Sequence, residues 1–211
     1  QLHQLNNELI RMGTMIEEAI EAAIDAFVHQ DVRKAQSIIH GDDEINQCEK
    51  DIESLCMRLL LEQQPVARDL RQISSALKMI TDMERIGDHA SDISEMTILM
   101  SSTKYAGGVD HLQAMACETM KMLHESVDAF VRRDLSLAAT VIESDDKVDD
   151  LFLQVKEEII DVIIAQKKNG EEAIDLLMVA KYFERIGDHA TNIAEWVVYS
   201  ITGNHDAEVT E

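Results

Sequence analysis

The chain has 211 residues with a single proline, eight glycines and 4% aromatic residues, a composition that favours long helices over strands. Hydrophobic residues make up 45% of it, yet no run approaches the roughly 18 consecutive apolar residues of a membrane-spanning helix, so we expect no direct membrane insertion. The net charge of −22 repels phosphate backbones, which disfavours nucleic-acid binding and favours cations and basic protein surfaces as partners.

Breaker residues divide the chain into six predicted helices. The breaks are Gln64-Pro65, the linker Gly107-Gly108 and Asn169-Gly170. Short connections make neighbouring helices antiparallel, so each half of the chain should be an up-down-up bundle of three. The predicted helices cover residues 5–29, 31–63, 66–100, 111–132, 134–168 and 171–201.

The second half of the sequence repeats the first. The segment 84–90, E-R-I-G-D-H-A, recurs letter for letter at 184–190, and residues 39–46 match 142–149. The offset is 103 for the earlier match (39 to 142) and 100 for the later one (84 to 184), so the second copy lacks three residues near the turn at Pro65. We therefore predict an all-α fold of two tandem three-helix bundles related by internal duplication. The predicted domains are residues 1–105 and 106–211.

Cysteine use and the first residues point to a cytoplasmic protein. The odd set of Cys48, Cys56 and Cys117 lies in helix-patterned sequence and does not form a disulfide framework, so we expect buried, reduced thiols. The segment 2–7 has no apolar core that resembles a signal peptide.

Acidic side chains form stripes on two helices of each copy. On the third predicted helix, Glu84, Asp88 and Asp92 lie within about 80° of one another, at roughly 100° per residue. On the second, Asp42 and Asn46 lie about 40° apart on successive turns. Apolar positions fall on other sides of both helices, so we expect the acids to face away from the bundle as a surface feature.

The spacing of these acids predicts metal binding. Like charges four residues apart destabilise a helix by about 0.2–0.5 kcal/mol per pair, a cost that a bound cation would offset. Carboxylate and amide oxygens suit hard ions, and carboxylates on facing helices can bridge more than one ion. A solvated acidic face is the alternative, but the same spacing occurs four times, which favours metal. The candidate metal ligands are Asp42, Asn46, Glu84, Asp88, Asp92, Asp145, Asp149, Glu184, Asp188 and Asn192.

The two copies are not equal in charge. We expect the second site to bind metal more weakly because it has fewer carboxylates. His89 and His189 flank the acids, and their role as ligands is left open. Gly87 and Gly187 are interpreted as points where helices pack closely. Three acids of the first copy have non-acidic counterparts in the second: Glu49 corresponds to Phe152, Glu53 to Lys156 and Asp92 to Asn192.

Taken together, these features resemble the PhoU family of bacterial regulators of phosphate uptake and phosphate signalling. The resemblance rests on the duplicated bundles, the E-R-I-G-D-H-A strings, the aspartate pair in each second helix, and Gln64-Pro65 followed by R-D-L-R at 68–71. The family implies metal ions or multinuclear clusters on the acidic motifs, with iron, zinc, manganese or magnesium as candidates. It also implies a cytoplasmic homodimer that restrains the phosphate ABC transporter ATPase, a phosphate-sensor histidine kinase, or both, when phosphate is plentiful.

A metal-dependent enzyme on a helical bundle is the competing interpretation. Di-iron bundles need a Glu-x-x-His motif on each of two helices, and none of the eight histidines here has an acid three residues earlier. A phosphatase could use two close hard ions to clamp a phosphoryl group, but no nucleophile or general base stands out beside the stripes. We therefore predict a regulator and not an enzyme.

Overall fold

The computed structural model describes residues 2–63, 65–105, 108–165 and 170–204, and these form six α-helices. The prediction of an all-α fold built from two tandem three-helix bundles is confirmed. In this part of the chain, no helix combines the length and the apolarity needed to cross a bilayer. The helices are α1 (Leu2–His29), α2 (Val32–Gln63), α3 (Ala67–Leu99), α4 (Val109–Arg132), α5 (Leu135–Ala165) and α6 (Gly170–Thr202).

The turn between the first two helices of each bundle has the same structure in both copies. Gln30 and Arg133 occupy the left-handed region, with φ of 53° and 57°. The next residue caps the following helix, because Asp31 Oδ1 accepts from the Lys34 amide and Asp134 Oδ1 from the Leu137 amide, each at 3.0 Å. The two copies detected in the sequence therefore also share the backbone conformation of this turn.

Helix bounds agree with the predicted ones to within a few residues. The predicted breakers Gln64, Gly107 and Asn169 lie outside the described residues, as does the predicted end of the fifth helix at residue 168. Gly108 precedes α4 with φ of 79°, a left-handed conformation that glycine adopts without steric cost.

The two bundles share one hydrophobic core. Buried side chains of both halves form a continuous cluster, in which α1 packs on α4 and α3 packs on α6. The start of α3 lies beside the end of α6, since Arg71 contacts the position of Gly203. The third helices of the two bundles are therefore antiparallel neighbours.

The cysteines differ from the expectation at one position. Cys48 and Cys56 are buried, and burial raises the pKa of the Cys56 thiol to about 12. Cys117 is exposed, so the expectation of a buried thiol is wrong there. It lies on the outward side of α4, whose inward side is already filled by residues such as Met115 and Ala116.

Candidate metal sites between the second and third helix of each bundle

Glycines in the repeated motif allow the second and third helices of each bundle to approach closely. A Cβ on Gly87 would lie 3.2 Å from Ile45 Cγ2 and 3.5 Å from Asp42 Oδ1. A Cβ on Gly187 would lie 3.1 Å from Asp145 Oδ1. The close packing predicted at both glycines is confirmed, and it brings an aspartate of α2 or α5 against the acidic turn of α3 or α6.

The first acidic seam consists of Asp42, Asn46 and Glu49 on α2 with Glu84 and Asp88 on α3. The Asn46 amide donates to Asp42 Oδ2 at 3.2 Å. The side chains of Glu84 and Asp88 are only 20% and 31% exposed. These acids therefore line the cleft between two helices, which corrects the expectation that they face away from the bundle. The angular positions around one helix show which side carries the acids, but they do not show that a neighbouring helix packs beside that side.

Like charges and burial raise the pKa values of the first acidic seam. Desolvation raises the pKa of Asp42, and the charge of Asp88 adds to it. Desolvation followed by the charge of Asp88 also raises the pKa of Glu84, and the pKa of Glu49 is raised by burial and by Glu53. The cation beside them is Arg85, which lies 3.0 Å from Asp88 and 3.6 Å from Glu84.

The second acidic seam consists of Asp145 and Asp149 on α5 with Glu184 and Asp188 on α6. Desolvation and the charge of Asp149 raise the pKa of Asp145 to about 6. The pKa values of Asp149 and Asp188 are also raised, in each case by desolvation and then by Glu184. Lys181 is ion-paired with Glu184 in this seam.

Three seam oxygens fit the requirements of a hard cation. Asp42 Oδ1, Asn46 Oδ1 and Asp145 Oδ1 are buried and have no hydrogen-bond partner among the described residues. A buried acceptor without a donor costs about 1–3 kcal/mol, which a bound ion would recover. A groove of about 290 Å³ lies against the first seam, with Asp42 and Gly87 in its wall.

The seams are not preformed cages. Within the described residues, no three His, Cys, Asp or Glu side chains already converge on one ion position. Coordination of one ion by several of these acids would therefore require side-chain rotations that bring their oxygens together.

Two predicted ligands, Asp92 and Asn192, bond to residues outside the seams. Asp92 Oδ2 lies 3.0 Å from His89 Nδ1, and the Asn192 amide donates to Asp82 Oδ1 at 3.1 Å. His189 Nδ1 lies 2.8 Å from the same Asp82 oxygen. Asn192 therefore lies at the α3–α6 contact. Side chains four residues apart lie about 40° apart around a helix, and this rotation places Asn192 nearer to α3 than Asp188 is. Asp92 stays close enough to the first seam for its charge to raise the pKa of Asp42. The role of both residues as metal ligands stays a prediction.

The two histidines lie in this same contact. The rings of His89 and His189 face each other with centroids 5.6 Å apart, and Tyr182 lies 5.8 Å from His89. Burial lowers the pKa of His89, although its bond to Asp92 opposes the shift. The histidines thus contact each other between the two third helices.

Sequence reasoning missed Asp82 and Lys181. Both lie at positions where the copies differ, since Thr81 and Asp82 correspond to Lys181 and Tyr182. Lys181 also lies 5.4 Å from the ring of Phe152, the residue that replaces Glu49 in the second copy. A residue-by-residue comparison of the copies would have singled out these positions.

Comparison with known proteins finds one family in both halves of the chain. The family model described as the PhoU domain matches twice, at residues 9–97 and 112–197. The phosphate-specific transport system accessory protein PhoU homolog of Clostridium acetobutylicum is 39% identical over 96% of this chain and 93% of its own. The phosphate-specific transport system accessory protein PhoU of Escherichia coli is 30% identical over 96% of this chain and 84% of its own.

Solved structures match in fold as well as in sequence. The crystal structure of PhoU from Pseudomonas aeruginosa has a TM-score of 0.90 and 33% identity, with 96% of this chain and 98% of that chain covered. That of the phosphate transport system regulatory protein PhoU from Streptococcus pneumoniae has a TM-score of 0.88 and 29% identity, with 97% of each chain covered. From the duplicated bundles, the repeated motif and these matches, we conclude that the chain belongs to the PhoU family.

Proposed function

We propose that this chain is a metal-binding negative regulator of phosphate uptake and phosphate-starvation signalling. It would act in the cytoplasm by contact with the phosphate ABC transporter ATPase, a phosphate-sensor histidine kinase, or both, and not as an enzyme. The names of its relatives, which are accessory or regulatory proteins of phosphate transport, support this role. An acidic surface of net charge −22 suits basic patches on such partners.

Unpartnered buried oxygens carry the metal part of the proposal. Asp42 Oδ1 and Asp145 Oδ1 occupy equivalent places in the two copies, and each lies against the glycine that lets its helix approach. The raised pKa values of the surrounding acids indicate uncompensated negative charge in both seams. Iron, zinc, manganese or magnesium would neutralise it, with more than one ion per seam allowed by bridging carboxylates.

A bound ion would hold two helices of a bundle in a fixed relation. Its ligands would be Asp42, Asn46, Glu84 and Asp88 in the first seam and Asp145, Asp149, Glu184 and Asp188 in the second. Glu49 adds a carboxylate to the first seam, whereas Lys181 offsets one in the second. The first seam should therefore hold metal more tightly.

Deletion of the gene in the native host tests the regulatory role. In phosphate-rich medium, the deletion should derepress phosphate uptake or a starvation-gene reporter, and the wild-type chain should restore repression. Unchanged uptake and reporter activity, together with failure to recover a transporter or kinase component with the tagged protein, would refute it.

Expression of seam variants in the deletion strain tests whether regulation depends on the metal sites. The double variant Asp88→Asn, Asp188→Asn removes one carboxylate from each seam. The matched control Asp43→Asn, Asp146→Asn removes the same charge at exposed positions of α2 and α5 outside the seams. The seam variant should fail to restore repression while remaining folded, and the control should restore it. If the seam variant and the control restored repression equally, regulation would not depend on the metal sites.

The proposal includes a homodimer. Leu153, Ile160 and Ile164 lie on α5 between 45% and 74% exposed, and their spacing places them within about 40° of one another. An exposed apolar stripe of this kind marks a protein contact. Light scattering should give twice the chain mass for the wild type and the single chain mass for Ile164→Glu. A monomeric wild type at micromolar concentration would contradict the homodimer.

A further inference from the structure

Three arginines gather at one end of the molecule, where α3 begins, α4 turns into α5 and α6 ends. Arg68 and Arg71 lie in the first two turns of α3, and Arg133 is the left-handed residue between α4 and α5. The side chain of Arg71 packs against the end of α6, since a Cβ on Gly203 would lie 3.8 Å from its Cδ and Nε. These three residues form the arginine cluster.

Two buried nitrogens of the arginine cluster have no acceptor among the described residues. These nitrogens are Arg71 Nε and Arg133 Nη1. The neighbouring Asp134 is already used, because its Oδ1 caps α5 at Leu137. Desolvation and the charges of Arg68 and Arg71 lower the pKa of Arg133, opposed by Asp69. The cluster is thus a local excess of positive charge in a strongly acidic protein.

The duplicated fold does not itself require these arginines. In the first copy the residue equivalent to Arg133 is Gln30, with φ of 53°. Its amide donates to Met100 O at 3.1 Å and to Thr103 O, so a neutral side chain satisfies this turn. At the repeat offset of 100 residues, Arg71 corresponds to Glu171. The charges are a property of one end of the molecule and not of its architecture.

We propose that the arginine cluster binds a tetrahedral oxyanion of the phosphate class, either free phosphate or a small phosphate monoester. Guanidinium groups donate pairs of charge-assisted hydrogen bonds to phosphate oxygens, and three positive charges suit a dianion better than a single carboxylate. Val66 gives α3 no side-chain cap, so the amides of its first turn are free and add to the positive field. Acids elsewhere on the surface weaken this field little, because charges beyond about 8 Å are screened at physiological ionic strength.

This site is separate from the acidic seams, so it can be tested on metal-free protein. Isothermal titration of the chelator-treated full chain with inorganic phosphate, at constant ionic strength set by chloride, should give one saturable site. Arg133→Gln installs the residue that the first copy uses in the same turn, and Arg68→Gln changes an exposed side chain, so both should fold. Each should weaken phosphate binding by about tenfold or more, the effect of one charged hydrogen-bond donor.

Arg33→Gln is the matched control. Arg33 is exposed on α2 and far from the cluster in the fold, so its loss changes the net charge equally and should leave phosphate affinity unchanged. Glycerol 3-phosphate replaces inorganic phosphate in a second titration, and the tighter ligand identifies free phosphate or a monoester as the source. The Nε–Hε NMR signal of Arg71 should shift with either one and stay fixed with chloride.

Three results would overturn the inference. They are the absence of saturable phosphate binding by the wild type, equal weakening by Arg33→Gln, and unchanged affinity in both cluster variants. The seam variant Asp88→Asn, Asp188→Asn should keep full phosphate affinity. Loss of binding in that variant would place phosphate at the acidic seams and refute the arginine site, whereas failure of the metal proposal leaves it intact.

Discussion

Replacing Gly41 and Gly187 by alanine, one at a time, should distinguish the effect of helix propensity from that of contact between helices. Alanine is better than glycine in a helix interior by about 1 kcal/mol. At Gly41 in α2 a new Cβ meets nothing within 4 Å, so Gly41→Ala should gain this amount. At Gly187 the Cβ would lie 3.1 Å from Asp145 Oδ1 and 3.3 Å from Val148 Cγ1. Val148 is fully buried and cannot move aside, and overpacking costs about 1–3 kcal/mol.

The net expectation is a difference of about 2 kcal/mol between two chemically identical substitutions. Urea unfolding of the metal-free variants, followed by circular dichroism, measures it. Gly187→Ala should unfold at lower urea than the wild type and Gly41→Ala at higher urea. Gly187→Ala should also bind metal more weakly, because the α5–α6 seam widens. A Gly187→Ala protein as stable as Gly41→Ala, with unchanged metal affinity, would refute the idea that the glycine sets the seam.

Other predictions concern charge. The folded pKa of Asp145 is about 6, above its unfolded value of 3.8, so metal-free stability should fall as the pH rises from 4 to beyond 6. The drop, of the order of 1 kcal/mol for this solvent-screened carboxyl, should shrink in Asp145→Asn, and a pH-independent melting temperature would contradict it. Calorimetric titration should show tighter metal binding in Asp188→Asn, which keeps the first seam, than in Asp88→Asn, and the reverse order would count against Lys181 as a competitor. Asp82→Ala should cost about 1 kcal/mol by removing the acceptor of the half-buried His189, whereas the exposed control Asp43→Ala should cost little.

The sequence was sufficient for the architecture because helix signals are local. Periodicity, breakers and the exact E-R-I-G-D-H-A repeat depend on residues near one another in the chain, and they gave helix number and order. The acidic turn at Glu84 and Asp88 and the glycine beside it were also predictable, since both recur at one offset.

Relations between helices could not be predicted in the same way. Asn192 was placed in the stripe because it is four residues from Asp188, but only the packing of α3 on α6 decides that it contacts Asp82. The arginine cluster combines residues more than 60 positions apart, and its convergence follows from the packing of both α3 and α4 on α6. Contacts between side chains of different helices could therefore be identified only from the structure.

Metal content of the purified protein tests the central claim most directly. The protein, loaded with iron, zinc, manganese or magnesium and then desalted, is analysed by elemental mass spectrometry beside Asp88→Asn, Asp188→Asn and the charge-matched control Asp43→Asn, Asp146→Asn. The account predicts retained metal in the wild type and the control, and strong loss in the seam variant with native circular dichroism. Equal metal content in all three folded proteins, or none in the wild type with any of these ions, would contradict it.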